Sequence, residues 1–335
     1  MNRECSCRKE TFCKSPIANP CDLSVVIPVY RSEDTLELLA EKLLPVLDRT
    51  GRTYEVILVE DGSPDQSWAK IESLHRRYPE RIIGVQLMRN SGQHNALMCG
   101  FRHSAGEFIL TMDDDLQNPP EEIPKLLDAM TQSEFDIVYG NYVQKKHEPY
   151  RNIGSLMVNS FYRSTFQTHV TVTSFRIIRR PLLEAILDYH GPYVFIDGLM
   201  AWNTRRIGSV IVEHHPRQAG RSTYSIGKLL ALATNLFTGF SLLPLQLASM
   251  AGIATVLFGV VAVLVGLCLQ PSLDAISTPW LLLGITVLID IQLLSLGIAS
   301  EYLGRLHMNV NGKPQYRIRK VLSRSDSLDS GSLPK

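Results

Sequence analysis

From residue 22 onward, short apolar runs alternate with stretches whose apolar residues recur at helical spacing. Runs at 23–29, 54–60, 82–87, 107–113 and 136–139 are predicted strands, with later ones near 173–178 and 209–214. Between them, 33–47, 65–78, 93–104 and 120–130 are predicted helices, two of them opened by the start signals Ser63-Pro64-Asp65 and Asn118-Pro119-Pro120. This alternation predicts an α/β domain with a mainly parallel sheet covered on both faces. Ligands of such sheets sit beyond the carboxyl ends of the strands. Those ends are polar here: Val29-Tyr30, Glu60-Asp61-Gly62-Ser63, Arg89-Asn90 and Asp113-Asp114-Asp115.

The pattern changes after the domain. Residues 229–304 hold no Lys or Arg in 76 positions, and their formal charges are Asp274, Asp290 and Glu301. Within them, 242–269 and 279–303 are each long enough, at about 1.5 Å per residue, to cross a hydrocarbon core of about 30 Å. Two membrane spans are the expectation; a buried hairpin in a soluble core is harder to reconcile with so long a stretch lacking cations. The loop 270–278 carries no cation, whereas Arg217, Arg221 and Lys228 precede the pair and Arg305, Lys313, Arg317, Arg319 and Lys320 follow it. The positive-inside rule places both ends in the cytoplasm. The expected order is a cytosolic tail (1–21), the α/β domain (22–225), an interfacial amphipathic segment (226–241), two spans with their loop (270–278), and a basic cytoplasmic tail (304–335).

Composition narrows the classes. With 335 residues, 45% apolar and 20% charged, the chain is no small disulfide scaffold, and a net charge of +1 does not favour nucleic acid as a partner. The first 21 residues lack an apolar run, so no secretory signal is read there. Cys5, Cys7, Cys13 and Cys21 match no common pairing of CxxC units, which leaves free thiols or a metal knuckle open. Neither a Gly-x-Gly-x-x-Gly nor a Gly-Lys-Ser/Thr loop occurs, against a dinucleotide oxidoreductase or a P-loop enzyme. Three consecutive aspartates after an apolar strand call for a positive partner. Mg²⁺ or Mn²⁺ shared between one or two carboxylates and phosphate oxygens answers that need; an acidic loop capping a helix is the alternative.

Five motifs in order give a resemblance. Val26-Ile27-Pro28-Val29-Tyr30, Glu60-Asp61-Gly62-Ser63-Pro64-Asp65, Arg89-Asn90-Ser91-Gly92-Gln93-His94, Asp113-Asp114-Asp115-Leu116-Gln117-Asn118-Pro119-Pro120 and Arg217-Gln218-Ala219-Gly220-Arg221-Ser222-Thr223-Tyr224 resemble inverting glycosyltransferases of family two. The likeness is greatest to membrane-bound polyprenyl-phosphate glycosyltransferases and covers roughly residues 22–320, including GIASEYLGR at 297–305. It implies a GT-A fold that binds a nucleotide diphosphate sugar, UDP being expected. Pro28, Tyr30 and Glu33 would line the nucleoside pocket and Asp61 would meet the base; Arg89, Gln93 and Asp114 belong to the same donor site. Asp113, Asp115 and Gln117 would hold the metal. Arg151 and Ser155 would take the lipid phosphate, while Arg217, Arg221, Ser222 and Tyr224 would meet a diphosphate or headgroup near the bilayer.

Two positions depart from the family pattern, Thr171 for an Asp and Thr223 for a Lys. A phosphate monoester is already largely dianionic at neutral pH, its second pKa being about 6, and can attack without a base. A sugar-hydroxyl acceptor needs one, and Asp197 is the candidate. The readings to be separated are therefore transfer to polyprenyl phosphate, transfer to a hydroxyl in polysaccharide or glycolipid synthesis, and a scaffold without catalysis. Asp290 and Gln292 near the middle of the second predicted span point to helix association in a homo-oligomer.

Overall fold

In a computed structural model, residues 21–142, 170–215, 243–269 and 278–324 are described. Eight strands form one sheet in the order β7-β5-β6-β4-β1-β2-β3-β8. They are β1 (Leu23–Val29), β2 (Tyr54–Glu60), β3 (Ile82–Leu87), β4 (Phe108–Thr111), β5 (Ile137–Tyr142), β6 (Arg176–Arg179), β7 (Ile207–Val212) and β8 (Ile318–Leu322). The centre is parallel: β1 runs alongside β2 from Leu23↔Tyr54 to Val29↔Glu60 and alongside β4 from Leu23↔Phe108. These are the near-continuous apolar runs, buried on both faces, that such a position demands.

Helices α1 (Leu36–Arg49), α2 (Ser67–Arg77) and α4 (Ile123–Thr131) cover one face, with a 3₁₀ turn at Pro120–Glu122 leading into α4. In α1, Leu36, Leu39, Leu43 and Leu47 form one buried stripe, which packs with Val25 and Ile27. The other face carries α3 (Gln93–His103), α5 (Arg180–Leu187) and α6 (Ile196–Asn203), packed with Val26, Val59 and Ile109. Gly100 lets α3 approach the sheet, since a Cβ there would overlap Val26.

Two features depart from the expectation. β6 lies antiparallel between β4 and β5, so its first residue pairs with the last of β4, Thr111↔Arg176. The second is a correction: part of 304–335 is no separate tail. Ile318–Leu322 pairs antiparallel with β3, and beyond it Arg324 Nη2 donates to Glu55 Oε2 at 3.2 Å. Glu55, only 2% exposed at the base of the sheet, also accepts from Ser24 Oγ at 2.7 Å and from the Ala105 N–H at 2.6 Å. Arg319 and Lys320 interrupt so short an apolar run, which hides the strand from a reading by periodicity.

Two apolar helices, α7 (Leu243–Leu269) and α8 (Thr278–Val310), pack against each other. Among the described residues, Gly284–Val310 within α8 is long and apolar enough to cross a membrane; the apolar stretch of α7, Leu245–Gly259, is shorter than that. Their apolar side chains point outward, with Phe258 75% and Leu294 67% exposed, the reverse of a water-soluble surface.

Candidate active site

The site grows from the turns that leave β1, β2, β3 and β4. After β2, Gly62 adopts φ +63°, and a Cβ there would collide with the backbone of Arg89 and Asn90. That close approach lets Asp61 reach the next turn, where Oδ1 accepts from the Ser91 N–H at 2.6 Å and Oδ2 from the Gly92 N–H at 2.9 Å. Asp61 is buried, which pushes its carboxyl upward against the pull of those two N–H groups. Its neighbour Glu60 accepts from the Ser63 N–H.

Beyond β1, Tyr30 is 43% exposed and the Arg31 guanidinium lies 5.5 Å from its ring centroid. Pro28 is half-buried within the strand. Glu33 Oε2 accepts from the Gln66 N–H at 2.8 Å, just ahead of α2. At the end of β3, Arg89 is exposed.

The aspartate triad divides into two sets. Asp114 turns inward, where its Oδ2 accepts from the Ser32 hydroxyl and from the Tyr30 N–H at 3.3 Å. Burial, with Asp113 and Asp115 beside it, pushes its carboxyl up to about 7. Asp114 therefore braces β4 against β1, and the three carboxylates do not share one direction. Asp113 is gripped from both sides, by Gln93 Nε2 at 2.8 Å and by Ser174 Oγ at 2.6 Å. Asp115 Oδ1 accepts from the Gln117 N–H at 3.1 Å.

Residues after β7 fold over this rim. The His215 N–H donates to Gln117 O at 2.9 Å, the His214 ring stacks on Tyr142 at 4.1 Å, and the Tyr142 hydroxyl donates to Asn118 Oδ1 at 3.1 Å. Burial first, then the nearby charges of Asp113 and Asp115, push the Tyr142 phenol up to about 12. Among the described residues no group of three or more His, Cys, Asp or Glu side chains gathers as a metal cage. Two carboxylates and an amide oxygen are, by donor chemistry, ligands suited to a hard cation.

Behind the rim, Asp197 is 6% exposed and bonded to Arg176 and, at 3.0 Å, to the Tyr139 hydroxyl. A carboxylate so engaged is a strut between α6 and the sheet. His94 stands at the start of α3, its ring edge-on to Phe195 at 5.5 Å and its Nδ1 buried without a hydrogen-bond partner. Burial holds its imidazole down at about 4, hence neutral. Arg151, Ser155, Arg217, Arg221, Ser222 and Tyr224 lie outside the described residues, as do the expected interfacial segment and the loop 270–277.

Sequence reasoning missed Ser32, Ser174, Tyr142 and Arg176. Ser174 reaches the rim, with Arg176 just behind it, because β6 is antiparallel, which brings its beginning to the edge where parallel strands end.

The parallel-centred sheet carries an acidic turn after β4 and a buried Asp-Gly turn after β2 at one edge, and residues 24–187 match Glycosyl transferase family 2. Similarity to characterised relatives extends further. The undecaprenyl-phosphate 4-deoxy-4-formamido-L-arabinose transferase of Edwardsiella ictaluri (strain 93-146) is 34% identical over 308 residues, 90% of this chain and 94% of the relative. The transferase of the same name from Shewanella sediminis (strain HAW-EB3) is 33% identical over 308 residues, 90% of this chain and 92% of that one. Among solved structures, glucosyl-3-phosphoglycerate synthase from Mycobacterium tuberculosis, in complex with Mn²⁺, UDP and phosphoglyceric acid, superposes with a TM-score of 0.51 at 17% identity, covering 65% of this chain and 76% of that one. The chain belongs to glycosyl transferase family 2.

Proposed function

We propose that the protein transfers a sugar from a nucleotide diphosphate sugar to a polyprenyl phosphate at the cytoplasmic face of a membrane, with inversion at the anomeric carbon. The observation that carries this reading is the extent of the similarity: about 90% of the chain, the apolar helices included, aligns with undecaprenyl-phosphate transferases. A GT-A domain alone serves many acceptors.

Asp113 and Asp115, with Gln117, are the residues that would hold Mg²⁺ or Mn²⁺, which when bound offsets charge on a departing diphosphate. Tyr30, Asp61 and Arg89 would position the nucleoside, and Gln93 aligns Asp113. Arg151 and Ser155 are assigned to the acceptor phosphate; Arg217, Arg221, Ser222 and Tyr224 to the diphosphate near the bilayer. An acceptor already dianionic near neutral pH needs no base. The burial and pairing of Asp197 with Arg176 weigh against a hydroxyl acceptor, for which Asp197 would have to be available. UDP is the nucleotide assigned by resemblance, and 4-deoxy-4-formamido-L-arabinose is the first sugar to test. Two spans, with the domain and both ends cytoplasmic, are the arrangement proposed, supported by the candidate span in α8, the apolar run of α7 and the flanking cations.

Membranes containing the protein, given a panel of UDP-sugars, Mn²⁺ and undecaprenyl phosphate, are expected to yield a lipid-linked sugar that is labile to mild acid and stable to mild base. Transfer to a saccharide only would overturn the reading.

A further inference from the structure

Among the described residues, the end of α8 meets the catalytic domain at the segment 188–195 between α5 and α6. Arg305 is 9% exposed although Leu303 and Leu306 beside it are 64% and 57% exposed. Its Nε and Nη2 both donate to Glu301 Oε1, at 3.1 and 3.0 Å, one turn earlier. That pair holds the guanidinium over the Tyr193 ring, 4.7 Å from its centroid. Beyond the helix, Gln315 Nε2 donates to Tyr189 O at 2.8 Å and to Gly191 O at 3.0 Å. The Tyr189 hydroxyl closes the segment on itself by donating to Tyr193 O at 3.0 Å.

The grip leads to the chemistry in a few steps. Two residues past Tyr193, Phe195 meets the His94 ring; two further, Asp197 is locked to Arg176 and Tyr139. Gln93, next to His94, is bonded to Asp113. Packed rings and short backbone thus make a continuous path from Tyr193 to the acidic rim.

We propose that Arg305 is a positioning residue for the acceptor: stacked on Tyr193, it fixes the 188–195 segment to α8 and so sets the height and tilt of the rim above the bilayer. A lipid phosphate arrives from that bilayer and must meet a rim at fixed distance. The nucleotide sugar arrives from water and is indifferent to the distance. The inference rests on the proposed acceptor.

The test uses the full chain in vesicles of phosphatidylethanolamine and phosphatidylglycerol containing undecaprenyl phosphate. Arg305→Ala and Tyr193→Leu are expected to raise KM for the lipid at least about tenfold while KM for the donor and UDP binding with Mn²⁺ stay within about twofold. Tyr193→Phe, which keeps the ring face, is expected to behave as wild type. Amide hydrogen exchange across 189–195 is expected to quicken in the first two variants and not in the third. Unchanged lipid KM and exchange would overturn the proposal, as would equal rises in both KM values with loss of UDP binding, the signature of a merely structural residue. A wild-type protein that makes no lipid-linked sugar overturns the acceptor reading and its use of Arg305, while the exchange arm separately decides whether Arg305 holds the segment.

Discussion

Ser174 and Asp113 are 61 residues apart in sequence, yet the Ser174 hydroxyl donates to Asp113 Oδ2 at 2.6 Å. With Gln93 on the other oxygen, the carboxylate is aimed rather than left to rotate. Asp113→Asn, which removes the charge, is expected to cut turnover at least about a hundredfold. Ser174→Ala keeps the charge and removes only the aim, so about a tenfold rise in the Mn²⁺ concentration for half-maximal activity is expected. Equal activation curves for Ser174→Ala and wild type would refute that role.

The pair behind the rim makes a separate prediction about stability. Arg176 is 2% exposed and Asp197 6%, so removing one charge strands the other in a dry layer. Arg176→Met is expected to destabilise the domain by about 3–5 kcal/mol, and Arg176→Met combined with Asp197→Leu by clearly less than the two single changes added together. Thermal melts of the four proteins decide; strict additivity would show that the two groups do not act as a pair.

His94 predicts a pH dependence. Its imidazole is held from 6.5 down to about 4 chiefly by burial, so the folded chain stays neutral there while the unfolded chain takes up a proton below about 6.5. The stability tied to this group is complete above pH 6.5 and is lost as pH falls toward 4. His94→Phe is expected to flatten the decline in Tm across that window, and parallel curves for variant and wild type would contradict it.

Asp290 lies on the outward surface of α8, within the stretch apolar enough to span a membrane. A carboxylate facing lipid costs about 3 kcal/mol on insertion scales, so a protein neighbour is expected at that face. Asp290→Leu should change the particle mass in a mild detergent, read by light scattering. An unchanged mass together with unchanged activity would remove the case for association through this helix.

Much of the fold was legible because long runs such as Leu23–Val29 and Tyr54–Glu60 have one reading, a strand buried on both faces. β1, β2 and β3 match the predicted runs, and α3 begins at the predicted Gln93. The expected strand 107–113 shrinks to Phe108–Thr111, because the chain turns away from the sheet after Thr111, ahead of Leu116 at φ 59°. Strand direction was not legible: four residues, Arg176–Arg179, carry no mark of being antiparallel. Ser174 and Tyr142 were therefore invisible as rim residues. Nor does spacing alone separate Asp113 from Asp114; their different directions follow from Ser32 and Tyr30 in the turn after β1, distant in sequence.

The sheet has a temporal consequence. Its outermost strand, Ile318–Leu322, is encoded after both apolar helices, so a nascent chain emerging N-terminus first leaves β3 with an open hydrogen-bonding edge until α7 and α8 have been translated. The catalytic half of the enzyme is thus completed by the last part of the chain to be made, after both apolar helices.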